Sequence, residues 1–224
     1  MSGDTPDDDR TESAADRGAG STASERPAEI PPDAEPLGEV PDWDDEYLDR
    51  VSDRLMFNYD LDRDTVVHGE RFPMTGTLEV HSRKQFFHPA LSYGHHESEE
   101  YLFVQRLARP TVGDLERLVD LGHQIADERV VADEEHFSTD VTFVVVADEL
   151  RDDVAAFVAD HKDRTLLKYG YYGHYEVNLA VVVPDAERLV RSPAADTAEA
   201  FALWEPLAEE KGFLGRLLDA VRPG

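Results

Sequence analysis

Residues 141–147, reading VTFVVVA, constrain this chain more than any other stretch. The run carries no charge and does not alternate, so as a strand it buries both faces, and such a strand needs helices packed on its sheet. A second run of the same kind, AVVV at 180–183, closes the segment LLKYGYYGHYEVNLAVVV over 166–183.

The other elements arrange themselves around these two. Trp43, Tyr47, Leu48, Val51 and Leu55 recur at helical spacing after Pro41, which predicts a first helix with Asp42 as N-cap. Strands are expected at 65–72, 75–82 and 100–107, with a polar loop over about 87–98. Thr111 followed by Asp114 predicts a capped helix over 111–131, and Asp148 a further helix along Leu150, Val154, Phe157 and Val158. Residues 165–169 and 174–183 flank Gly170-Tyr171-Tyr172-Gly173 as a hairpin, with Tyr169 expected opposite His174 and Leu167 opposite Glu176. Helical segments are expected at 185–191 and 195–205, the latter ended by Pro206. The fold class is α+β: a mixed sheet of about six strands with helices packed on it.

Charge and composition divide the chain. Residues 1–41 hold 11 acids against three Arg, six of the 13 prolines and no aromatic, and are expected to form a disordered acidic tail. Residues 42–210 form the single globular domain, and 211–224 a basic amphipathic helix. In that last segment Phe213, Leu214, Leu217 and Leu218 share a face, which fits a contact with a protein partner or a membrane surface; docking on the chain's own domain fits equally.

The whole chain carries 49 Asp+Glu against 22 Lys+Arg, a formal charge of -27, and only four of the bases are Lys. Such self-repulsion destabilises a compact state in dilute buffer, whereas molar salt shortens the Debye length to about 3 Å. We therefore expect a halophilic archaeal cytoplasm, and we discount acidity as a sign of any one partner. Nucleic-acid binding is not expected, because no basic stripe is present beyond Arg83-Lys84 and the C-terminal segment. A leader of basic then apolar residues is absent from the N-terminus, consistent with a cytoplasmic protein, peripheral to the membrane if the C-terminal helix engages one.

Few constellations could carry chemistry. With no cysteine, thiol nucleophiles and zinc-thiolate sites are excluded. P-loop, dinucleotide-binding, nucleophile-elbow and His-Glu-x-x-His signatures are also missing. Period-2 alternation places His174, Glu176 and Asn178 on one strand face, a set that suits general acid/base work and equally suits a polar strand end. His95 and His96 could join His174 and Glu176 in binding a divalent metal such as zinc, manganese or iron. Asp60, Asp62 and Asp64 have the spacing of a calcium loop's first ligands, but Thr65 and Arg71 stand where glycine and glutamate are needed. Asp148 and Asp185 each close a buried-looking strand, where N-capping of a following helix explains them.

Around HFSTDVTFVVVADE and RTLLKYGYYGHYEVNLAVVVP the chain resembles a group of haloarchaeal proteins without an assigned activity, a resemblance covering most of 42–205. Its element order also resembles metal-dependent nucleases of the restriction-endonuclease type, which implies acids at Glu46 and Glu79 and an acid-x-lysine pair on the third strand. There EEYLFVQR offers Glu99 and Glu100 but no lysine. Two functions follow as expectations: a noncatalytic binding or regulatory domain, or a divalent-metal-dependent hydrolase or nuclease-like enzyme with a His/Glu site.

Overall fold

The computed structural model describes residues 41–84, 94–133 and 136–206. One seven-stranded sheet organises them: β1 (Asp60–Val67), β2 (Glu70–Lys84), β3 (Gly94–Arg106), β4 (His136–Val146), β5 (Arg164–Leu166), β6 (His174–Val183) and β7 (Arg188–Arg191). The order is β1-β2-β3-β4-β6, and β5 and β7 share the outer side of β6, against residues 174–176 and 180–183 respectively. β2 runs antiparallel to β1 and β3, while β3, β4 and β6 run parallel. Parallel neighbours need crossovers, and α2 (Val112–Arg129) and α3 (Asp152–Asp160) lie in those connections. The architecture is the expected α+β class.

Helices cover the sheet unequally. On one face α2 and α3 pack against Tyr101, Phe103, Val141, Phe143, Val177, Leu179 and Val181 in an apolar core. Gly122 of α2 permits the close approach, because a Cβ there would lie 2.6 Å from Cγ1 of Val177. On the other face α1 (Glu46–Leu55) inserts Leu48, Val51 and Leu55 against Met74, Leu102, Val104, Val144 and Val146, joined by Phe201 from the 3-10 segment Asp196–Phe201. Thus β4 is buried on both faces, as its unbroken apolar run requires.

Several boundaries differ from those expected, each for a local reason. The strand expected at 65–72 is two strands meeting at His68-Gly69, whose φ values of 50° and 88° make the left-handed two-residue turn suited to a twisted hairpin. Asp60 and Asp62 consequently lie in extended β1 rather than in a calcium loop, and Asp64 is 3.8 Å from Arg71 in an ion pair. Asp45, not Asp42, caps α1, accepting from the backbone N–H groups of Tyr47 and Leu48. The Thr111/Asp114 capping box on α2 is as expected. α3 starts at Asp152 because the N–H groups of Asp148 and Glu149 are both held by the carbonyl of Ala108. Of the helical segment expected at 185–191 only a single 3-10 turn, Pro184–Ala186, forms: Glu187 turns left-handed at φ 48° and sends the chain back as β7.

Residues 94–98 belong to β3, not to a loop. The expected tail before Pro41 and the C-terminal helix, with Phe213, Leu214, Leu217 and Leu218, lie outside the described residues. Among the described residues no helix is long and apolar enough to cross a membrane.

Candidate functional site

The face under α1 is apolar only toward the C-terminal ends of the parallel strands. Toward their N-terminal ends it turns polar, with Ser98 and Glu100 on β3, Ser138, Asp140 and Thr142 on β4, and His174, Glu176 and Asn178 on β6. Strand register sets these side chains in rows. Glu100 stands beside Asp140, Asp140 beside Glu176, and Glu176 beside Arg164 of β5. Neighbouring strands are about 4.8 Å apart, so adjacent members of the row stand within direct electrostatic reach.

The two ends of the row are covered, while Asp140 between them is half-buried. Glu100 is 5 % exposed and Glu176 8 %. Glu100 accepts a hydrogen bond from the hydroxyl of Thr197 in the 3-10 segment, and the Tyr59 hydroxyl meets that of Thr197 at 2.7 Å. Asp196, next to Thr197, pairs with Arg191 at 3.1 Å. At the other end the Arg164 guanidinium donates to Glu176 and, at 3.1 Å, to Nε2 of His174. That contact places the lone pair of a neutral His174 on Nε2, since an imidazolium would have no acceptor to offer.

Burial and like charge then decide the protonation states. Burial first, followed by the carboxylates of Glu100 and Glu176, pushes Asp140 up to about 8. Glu100 is also raised by burial, against hydrogen bonds from Thr197 and Tyr59 that favour its charged form. His174 is lowered, by burial and then by Arg164, with Glu176 opposing. Glu176 is balanced by Arg164 and Asp196 by Arg191, whereas Glu100 and Asp140 have no cationic partner among the described residues. Asn178 adds an independent imbalance. It is 3 % exposed, its Oδ1 takes the Ser192 hydroxyl at 3.4 Å, and its Nδ2 has no acceptor among the described residues.

The hairpin register explains why Arg164 was missed in the sequence. Lys168 and Tyr169 adopt φ 48° and 59°, so the connection occupies 167–173 and β5 retreats to Arg164–Leu166. Leu166 therefore stands opposite His174, and Arg164 rather than Leu167 opposite Glu176. His174, Glu176 and Asn178 do share one face, as period-2 alternation expects. His95 and His96 sit on β3 opposite Arg83 and Ser82, beyond the row that joins Ser98, Ser138 and His174, and two strands from His174. Among the described residues no three His, Cys, Asp or Glu side chains are grouped to hold a metal ion.

The nuclease-like acids do not converge. Glu46 lies on α1, above one sheet face, while Glu79 and Glu99 pair with each other on the opposite face, where Glu99 accepts from the Tyr101 hydroxyl at 3.0 Å. Asp148 and Asp185 share the C-terminal edge, because β4 and β6 are parallel, and both are exposed. Asp140, Arg164, Tyr59 and Thr197 escaped the sequence reading, and Glu100 entered it only as a nuclease-like acid, although a signal was present. EYLFV, DVTFV and EVNLA each place one acid immediately before the apolar part of a parallel strand.

A family model described as "Domain of unknown function (DUF8052)" matches residues 44–203, 160 of the 224 residues. No curated protein and no solved structure matches the chain.

Proposed function

We propose that this chain, which belongs to that domain family, is a noncatalytic binding domain whose ligand presents a cationic group to the row of Glu100, Asp140 and Glu176. The observation that carries this reading is Asp140, central in the row and without a hydrogen-bond or ion-pair partner among the described residues; on the same face Asn178, opposite Thr142, has an amide nitrogen with no acceptor among those residues. A half-buried carboxyl flanked by the buried Glu100 and Glu176 ionises unfavourably unless a counter-charge joins it. An ammonium or guanidinium entering beside Asp140 supplies charge to it and to Glu100, much as Arg164 already does for Glu176. Polar atoms on the ligand can accept from Asn178.

The noncatalytic character rests on His174. Its Nε2 faces Arg164, so the imidazole lacks the free lone pair that a general base or a metal ligand requires. The excess of acids and the scarcity of Lys support a salt-rich archaeal cytoplasm as the working environment. The basic segment 211–224 is our proposal for a second contact, with a partner protein or a membrane surface.

Argininamide, titrated into the full chain in molar KCl and followed by carboxyl NMR shifts, tests the reading. Shifts centred on Asp140 and Glu100 that vanish in the Glu100→Gln/Asp140→Asn double variant are expected. Shifts spread over the acidic surface and unchanged in that variant would exclude the row as the ligand seat.

A further inference from the structure

The row is crowded by charge of one sign. Asp140 faces Glu100 from β3, Glu176 and His174 from β6, Arg164 from β5, Asp196 from the 3-10 segment and, next to Glu100, Tyr59 ahead of β1. Arg164 reaches Glu176 and His174, and Arg191 reaches Asp196. Neither guanidinium is paired with Asp140 or Glu100, and His174 brings no charge while it accepts from Arg164. Three carboxylates on adjacent strands, the outer two nine-tenths buried or more, disfavour ionisation of the half-buried Asp140 between them.

From this arrangement we infer that the row is a proton-for-cation exchange site: without ligand Asp140 carries a proton between Glu100 and Glu176, and the arriving cation drives that proton into solvent. The inference rests on the binding reading above and adds its regulation. Charge balances in the exchange, since one proton leaves the Asp140 carboxyl as one positive group enters beside it. Burial and the flanking carboxylates of Glu100 and Glu176 push Asp140 up to about 8, which puts the exchange within an accessible pH range. Because one proton is released per cation, affinity rises with pH by about tenfold per unit while Asp140 is protonated in the free chain, and levels off above its midpoint. Asn178, two residues along β6 from Glu176 on the same face, offers its unused N–H to a ligand acceptor in either protonation state.

Two measurements on the full chain in molar KCl decide the matter. First, the Asp140 carboxyl is titrated by NMR without ligand. Second, affinity for methylguanidinium, whose charge is constant over the range, is measured at pH 6, 7 and 9, in the parent and in Asp140→Asn. We expect an Asp140 midpoint well above the carboxylate range, an affinity gain of about tenfold from pH 6 to 7, and no pH dependence in the variant. An Asp140 that titrates as an ordinary carboxylate overturns the exchange even if methylguanidinium binds at the row. Binding at the row that does not vary with pH overturns it as well. A high Asp140 midpoint with no binding at any pH instead removes the binding reading, and the exchange with it.

Discussion

Arg164 stands opposite Glu176 across the β5–β6 ladder and also reaches Nε2 of His174 at 3.1 Å, so one guanidinium holds both groups that the sequence offered as an acid/base pair. Replacing it with Met leaves a carboxylate that is 8 % exposed without its counter-charge. The expected loss of stability is about 1–3 kcal/mol, toward the low end because the guanidinium is itself largely exposed. His174, relieved of the positive charge beside it, should titrate higher than in the parent, though still below an exposed histidine because burial remains. Imidazole NMR titration of both chains is the check, and an unmoved His174 would contradict the contact.

Asp140 gives stability an unusual slope. Folded, it keeps its proton to about pH 8; unfolded, it loses it near 3.8. Between those limits folding takes up a proton, so the group's contribution falls by about 1.4 kcal/mol per pH unit as pH rises, and is least favourable above 8. Asp140→Asn has no such proton to gain. We expect the two chains to be similar near pH 4 and the variant to be more stable by a margin that widens toward pH 8, reaching a few kcal/mol. Urea unfolding in molar KCl at several pH values measures that margin, and a margin independent of pH would refute the assignment.

Gly173 and Gly170 lie in the same turn and separate two effects. Both adopt positive φ, 73° and 89°, but a Cβ on Gly173 would fall 2.0 Å from the carbonyl oxygen of Phe137, whereas one on Gly170 meets nothing within 4 Å. Gly170→Ala should cost about 1–2 kcal/mol from backbone strain alone. Gly173→Ala adds a steric conflict and should cost about 2–4 kcal/mol. Equal losses in thermal or urea unfolding would mean that the β4 and β6 backbones do not approach as described.

Net charge of -27 predicts a strong response to salt. Raising KCl from about 0.1 M to 1 M shortens the Debye length from about 10 to 3 Å, and the melting temperature should climb steeply over that interval. A chain equally stable at both concentrations would undercut the high-salt environment proposed here.

Element type was readable where burial dictates composition, and register was not. VTFVVVA announces β4 because a strand covered on both faces admits almost nothing polar, and the Thr111/Asp114 box announces α2 because orphan N–H groups need those acceptors. The hairpin at 167–173 defeated the reading, since left-handed Lys168 and Tyr169 carry no compositional mark and shift every pairing on β5. Glu100 and Asp140 were hidden differently. Forty residues apart in sequence, they become neighbours only because α2 returns the chain parallel to β3, and periodicity within one strand contains no information about which strand lies next to it.

β6 is flanked on its outer side by two short strands in succession, β5 against 174–176 and β7 against 180–183. Between them the N–H of Val177 reaches the carbonyl of Asp163, and the hydroxyl of Ser192 takes the N–H of Leu179. Hence the most apolar strand end in the sheet offers no continuous ladder of free backbone groups to a second molecule. In brine, where charge repulsion between copies is screened away, that covering guards against aggregation in a way the surface carboxylates cannot.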